Sequence, residues 1–380
     1  MTILSTALFL VSVFALVYVI AGYPLLLALL ARFVPKPAPQ KDALLRTVSI
    51  VIAARNGEKF LDAKLRSILE LNYPRDLMQI IVVSDGSTDR TADIVQSFAS
   101  EGVEFHEIRP SGKSAAVNLG ISFATGEILI LTDIRQTLDP ESLRNVVACF
   151  GDPTVGAVSG ELSIRRGLTC EEDDTGLYWK YEVFIRKHMS ALDSTFGTNG
   201  PFYALRRSLA VHIPPDTLLD DVYLPLAAFF RGYRLIIEPS AKAFDYPTNL
   251  TSEFKRKVRT QAGLYQILRR YPQLLSPRNR MRFHFISAKF ARLLLPFFLI
   301  LVALSSFGLP EPWMEAALAA QALFYSAALF DLWLPQNSAV KSITSPVRTF
   351  VVLMAASLMA CKILFTPARE LWKETKVRLT

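Results

Sequence analysis

From Ile3 to Ala31 the chain carries no charged residue. A helix crosses a bilayer with about 20 consecutive apolar residues, so this run reads as a membrane span or a signal peptide. A signal peptide has a basic start and a short apolar core. Neither is present, and the run reads as a retained span. Three more apolar segments follow near the other end, Leu293 to Leu309, Trp313 to Leu334 and Phe350 to Phe365. The polar stretch between, about Thr47 to Arg282, must fold as a water-facing domain, and the hydrophobic fraction of 51% averages two unlike regions.

Arg32, Lys36, Lys41 and Arg46 follow the first span, whereas only Met1 and Thr2 precede it. The positive-inside rule then puts the N-terminus outside and the polar domain in the cytosol. Three later crossings would leave the C-terminus outside, yet Arg369, Lys373, Lys376 and Arg378 belong inside by the same rule. One of the three segments is therefore expected to be re-entrant or interfacial. Glu315 and Asp331 make the middle one the weakest span. The basic residues behind the net charge of +8 cluster beside the apolar segments, which points to anionic lipid headgroups and not to nucleic acid. Cys149, Cys170 and Cys361 lack metal-ligand spacing and read as ordinary thiols.

Within the polar stretch, Val48 to Ala54 is an apolar run suited to a buried strand, and Phe60, Leu61, Leu65, Ile68 and Leu69 then recur at helical spacing. Further strands are predicted at Gln79 to Ser84, Val103 to Ile108 and Glu127 to Leu131. Helices fall between them, at about Asp89 to Ala99 with Ser87 or Thr88 as cap, at Ala115 to Ala124, and after Asp139-Pro140. Alternation of this kind predicts an α/β domain with a parallel sheet and ligands at the carboxyl ends of its strands. Asp85 and Asp133 both fall at such ends. Past Leu162 the pattern loosens into mixed elements with a loop at Glu171 to Asp174.

Asp85, in Val83-Ser84-Asp85-Gly86-Ser87, can accept the imide N–H of a uracil, or simply cap the next helix. Lys113 and Asn118 precede and enter a helix whose N-terminus favours phosphate, although a solvated lysine is the commoner fate. Asp220-Asp221 can raise one another's pKa, so that one serves as general base, or can be an exposed helix-start pair. Phe254, Val258, Tyr265 and Leu268 form an apolar helical stripe among Lys255, Arg256, Lys257 and Arg259. Such a helix can lie in the membrane interface with its arginines reaching phosphates.

In their order these residues resemble membrane-integrated glycosyltransferases of family 2, the cellulose, hyaluronan and poly-N-acetylglucosamine synthase group, over about Ser49 to Gly263 and in the layout of spans. The resemblance implies a GT-A (Rossmann-like) α/β domain flanked by transmembrane helices, transferring sugar from a nucleoside diphosphate with inversion. It assigns Ala54, Asn56, Asp85, Lys113, Asn118, Asp133 and Arg135 to the donor side. Asp221 corresponds to the catalytic base, with Asp220 before it, and Thr198-Asn199-Gly200 to the acceptor-side loop. Two departures stand out. In Thr132-Asp133-Ile134-Arg135-Gln136 arginine replaces the second acid of the DxD motif, leaving Asp133 as the motif's carboxylate for Mg²⁺ or Mn²⁺. The QxxRW motif is represented by Arg256-Lys257-Val258-Arg259-Thr260, which keeps arginines for the diphosphate and lacks the tryptophan.

The expected organisation is a span at 1–32, a cytosolic GT-A domain at 47–250, interfacial helices at 251–286, C-terminal spans at 290–366 and a basic tail at 367–380. The expected function is transfer from a nucleotide sugar, a UDP-sugar first of all, to a lipid-linked saccharide or growing polysaccharide at a bacterial inner (plasma) membrane. So few spans make a meagre channel, which favours a single addition, or polymerisation with a partner subunit or in a homo-oligomer. Transfer to polyprenyl phosphate, an acceptor that needs no base, stays open. So does an inactive homologue that binds nucleotide or saccharide, which the altered DxD suggests.

Overall fold

The computed structural model describes residues 2–164, 170–246, 248, 250–335 and 338–368, the side chains of 170–178 excepted. The basic tail and the side chains of Glu171 to Asp174 lie outside the described residues. The chain divides into two compact units, one of Met1–Phe33, Arg166–Ile185 and Tyr246–Thr380, the other of Val34–Arg165 and Arg186–Asp245.

The polar unit is built on strands β1 (Val48–Ala54), β2 (Met78–Asp85), β3 (Val103–Ile108), β4 (Ile128–Thr132), β5 (Thr137–Leu138), β6 (Val155–Ile164), β7 (Phe202–Arg206) and β8 (Arg234–Asp245). They form one sheet in the order β3-β2-β1-β4-β7-β6-β8-β5. Its first part is parallel, β1 pairing with β2 and β4, and β2 with β3. Helices cover both faces of a parallel sheet, so its strands read as continuous apolar runs. Ile50, Ile52, Ile80, Val82, Ile128 and Ile130 are all buried. The helix Lys113–Phe123 lies close on β1, where a Cβ on Gly120 would come within 2.4 Å of Val51.

The parallel expectation holds for β1 to β4, and β6 and β8 also pair in parallel. β7 runs antiparallel between β4 and β6, which closes the nucleotide-type half against a second, mixed half. Two local expectations also change. The residues Glu171 to Asp174 belong to the helix Cys170–Leu192 and not to a loop. The helix after β2 is shorter, Thr91–Gln96, and Asp89 rather than Ser87 or Thr88 accepts from its first N–H at 3.1 Å.

Among the described residues three helices are long and apolar enough to cross a membrane, Thr2–Phe33, Arg282–Ser306 and Lys341–Leu364, all in the apolar unit. The helix Trp313–Phe330 falls outside that set. Asp331, at its end, is fully buried and accepts hydrogen bonds from Thr344 Oγ1 at 2.7 Å and Arg348 Nη1 at 3.3 Å, with the Lys341 ammonium at 3.8 Å. Tyr18 and Tyr23 of the first helix meet Ser287 and His284 at 2.8 and 3.1 Å. The amphipathic helix is Leu250–Arg270, and its buried face runs through Lys257, Val258, Gln261 and Ala262, leaving Phe254 and Leu268 half-buried.

Candidate active site

β1, β2 and β4 end at Ala54, Asp85 and Thr132, so the loops that follow gather at one edge of the sheet, where α/β folds hold ligands. Into this edge come the helix Lys113–Phe123, the loop Thr198 to Gly200 and the helix Asp220–Phe230. Lys113 opens the first helix, and its ammonium lies 2.9 Å from Asp133 Oδ1 and 3.2 Å from Asp220 Oδ1. Burial works against that charge, but Asp133, Asp220 and Asp221 outweigh it and raise the lysine's pKa.

Asp221 stands beside them. Its Oδ2 accepts from the Gly200 N–H at 3.1 Å, and its backbone carbonyl accepts from Thr198 N and Oγ1 at 2.8 and 2.9 Å. A Cβ on Gly200 would lie 3.3 Å from Asp221 Oδ2 and 3.7 Å from Asp133 Oδ2, so the two carboxylates meet over a residue without a side chain. Burial, together with the Asp220 charge, pushes the Asp221 carboxyl up to about 6, against the pull of Lys113 and Arg186. A carboxylate so placed can take a proton near neutral pH. Thr198, Asn199 and Gly200, assigned from the sequence to the acceptor side, form the cradle of Asp221. Asn199 is pinned in turn by Ser159 Oγ to its N–H at 2.9 Å and by its own Nδ2 to Gly160 O at 2.9 Å.

Other sequence candidates are committed elsewhere. The Asp85 carboxylate accepts from Ser111 N at 2.6 Å and Gly112 N at 3.0 Å, with Arg55 at 3.6 Å. It organises the turn that delivers Lys113, and most of its acceptor capacity is used there. Asn118 bonds Ile213 through both ends of its amide, at 2.8 and 2.9 Å, which ties the helix Lys113–Phe123 to the backbone of Ile213. Asn56 accepts from Thr88 N at 2.9 Å and adopts a left-handed φ of 49°, and Ala54 is a buried strand end. Arg135 forms a two-pronged pair with Asp245 at 2.9 and 2.6 Å, and Gln136 bonds the same carboxylate at 2.8 Å. The guanidinium expected to replace a metal-binding acid is thus answered by β8. Arg256 and Arg259 lie in the other unit, on the helix Leu250–Arg270, where Arg256 pairs with Glu253 and stacks over Trp179 at 4.5 Å.

Sequence reading passed over Lys64, Arg186 and Asp245. Lys64 is fully buried, donates to Thr132 Oγ1 and Gln136 O at 2.6 Å each, and is driven down to about 7 by desolvation. Its signal was its place among Leu61, Leu65 and Ile68 on the inward helix face. Arg186 bonds Gly197 O at 3.2 Å and the Asn199 side chain.

A divalent ion does not fit this donor set. Mg²⁺ takes oxygen ligands at about 2.0–2.1 Å in near-octahedral array. Here Asp133 Oδ1 already faces an ammonium, and the motif's second acid is an arginine paired with Asp245. Among the described residues no group of three or more His, Cys, Asp or Glu is arranged to hold an ion.

The family model described as Glycosyl transferase family 2 matches residues 49–212. Poly-beta-1,6-N-acetyl-D-glucosamine synthase of Staphylococcus aureus is 26% identical over 245 residues, 62% of this chain and 58% of that protein. The probable glycosyltransferase YdaM of Bacillus subtilis is 28% identical over 215 residues, 51% of this chain and 49% of its own length. The match thus spans about half the length of these curated relatives. The solved mannosyltransferase PcManGT of Pyrobaculum calidifontis, in complex with GDP-Man and Mn²⁺, superposes over 94% of this chain and 99% of its own with a TM-score of 0.71 at 24% identity, a likeness of fold. Over residues 49–212 the chain therefore carries a domain of glycosyl transferase family 2, on the GT-A fold.

Proposed function

We propose that this protein is an inverting glycosyltransferase that moves a sugar from a nucleoside-diphosphate sugar, a UDP-sugar first of all, to a lipid-linked saccharide or growing polysaccharide. The observation that carries the reading is Asp221. It is a carboxylate tuned to about 6, held by Gly200 and Thr198, beside Asp133 at the strand-end edge where donors bind. An acceptor hydroxyl attacks the anomeric carbon as Asp221 takes its proton, and the bond to the diphosphate breaks on the opposite face. Asp85 serves the donor chiefly through the turn it holds. Arg256 and Arg259 are assigned to the diphosphate by the family pattern alone. A hydroxyl acceptor is favoured over polyprenyl phosphate, because an anionic acceptor would leave the raised Asp221 without work. The tuned base likewise favours an enzyme over an inactive homologue.

The proposed topology uses Thr2–Phe33, Arg282–Ser306 and Lys341–Leu364 as spans. With the N-terminus outside, the polar unit is cytosolic and the basic tail returns inside, which removes the conflict of charges if Trp313–Phe330 does not cross. Release of diphosphate from a panel of nucleotide sugars, with and without extracted lipid, tests the reading. Turnover that needs lipid and a hydroxyl acceptor supports it; no turnover of any donor by the full chain in membranes defeats it.

A further inference from the structure

We propose that Lys113 is the built-in cation of this centre. Its ammonium, and no divalent metal, bridges Asp133 and Asp220 and takes up the negative charge of the departing diphosphate. This inference rests on the transferase reading above.

Three observations carry it. The ammonium sits 2.9 Å from Asp133 and 3.2 Å from Asp220, at the end of β4 where the motif would otherwise direct a cation. Its anchor is firm: Gly112, at φ 90°, donates to both oxygens of buried Asp85 at 3.0 Å, and Lys113 begins the helix packed on β1. The altered motif is also closed off, because Arg135 is held by Asp245 and returns no carboxylate to the site. A like charge at 2.9 Å from Asp133 opposes entry of a second cation there.

An ammonium has three N–H donors. Two are directed at Asp133 and Asp220, which leaves one for an oxygen of the incoming diphosphate. In the step, the acceptor oxygen bonds to the anomeric carbon and its proton passes to Asp221. The carbon–oxygen bond to the diphosphate breaks with its electron pair remaining on the phosphate oxygen. Lys113 stays protonated throughout and neutralises that oxygen.

The test uses the full chain purified in detergent, as wild type, Lys113→Arg and Lys113→Met. Diphosphate release is followed in chelator and with added Mn²⁺, and Mn²⁺ binding is titrated separately by paramagnetic resonance. The expected result is wild-type turnover undiminished by chelator, no Mn²⁺ site in the wild type, a loss of about 10²- to 10³-fold in Lys113→Met and partial retention in Lys113→Arg. Lys113→Met, with its acids relieved of the ammonium, should gain Mn²⁺ binding. Activity abolished by chelator and restored by Mn²⁺, or equal Mn²⁺ affinity in wild type and Lys113→Met, overturns the proposal. If Lys113→Met does not fold, the wild-type chelation arm and Lys113→Arg decide. Absence of turnover with every donor would defeat the transferase reading instead, and the Mn²⁺ titrations would still report on Lys113.

Discussion

Each unit buries charge, and the two do so with opposite balances. In the apolar unit Asp331 is one acid met by Thr344, Arg348 and Lys341, so its charge is answered several times over. In the polar unit Asp133, Asp220 and Asp221 crowd round the ammonium of Lys113, and the Asp221 carboxyl stays raised even with Arg186 also pulling on it. A fully answered buried charge costs desolvation and returns order, so it fixes a helix pair. An under-answered one raises a carboxyl pKa, as at Asp221, and leaves a group able to take a proton. The first arrangement is an anchor, and the second is a site.

The comparison breaks most sharply at Asp221. Asp221→Asn keeps the shape and cannot accept a proton, so turnover should fall by about 10²- to 10⁴-fold with nucleoside diphosphate binding retained by calorimetry. Near-normal turnover with a hydroxyl acceptor would remove the base. The wild-type pH profile tests the same group. The active form is the carboxylate, and its pKa is raised to about 6, so kcat/KM should fall as pH drops through about 6 and level off above it. A profile flat to pH 5 would mean that another group takes the proton.

At the anchor the same kind of deletion should act on stability. Asp331→Ala leaves Lys341 buried beside Arg348 without their acid, at a cost of about 3–5 kcal/mol. Thermal unfolding in detergent reads this, and nucleotide affinity of the folded fraction should be unchanged. A shift in Tm of only a degree or two would make the cluster a wetted surface feature.

A smaller effect is expected where the sheet edge is merely crowded. Gly200→Ala keeps the N–H to Asp221 but places a Cβ 3.3 Å from its Oδ2, so the carboxylate must move by a few tenths of an ångström. Since misplacement of about 1 Å can cost 10²-fold, a loss of about tenfold in kcat with KM for the donor little changed is the expected outcome. A change confined to KM would assign the loop to substrate binding instead.

How far the sequence could be read follows the same division. β1 to β4 were legible because buried parallel strands are written as unbroken apolar runs, and Asp85 and Asp133 stood out as acids ending them. β7 was hidden, since a five-residue strand flanked by loops has too few residues to show a period. The proximity of Asp133, Asp220 and Asp221 could be suspected from order alone, but the partners of the buried cations could not. Lys64 answers Thr132 and Asp245 answers Arg135 across long separations in sequence, and one chain carries no signal for such pairs. The bonds of the Asn118 amide to the backbone of Ile213 were equally silent in the sequence, since they join positions far apart in the chain.

The smallest predicted effect sharpens the contrast from beneath the site. Tyr203 is buried in β7, paired in register with Leu131 of β4, and among the described residues its hydroxyl has no hydrogen-bond partner. Burial, with Asp220, Asp221 and Asp133 adding to it, raises its pKa well above the usual tyrosine value, so it stays a neutral phenol and carries no share of the charge balance. An orphaned buried donor costs about 1–3 kcal/mol, and removing it relieves that cost while the ring's packing remains. Tyr203→Phe should therefore leave Tm equal or slightly higher, with the midpoint of the pH profile near 6 unmoved. A loss of more than about 1 kcal/mol would mean that the hydroxyl finds a partner in solution. If the pH midpoint moved with it, that partner would be one of the three acids, and the crowding of negative charge at this centre would be smaller than the pairing of Lys113 alone implies.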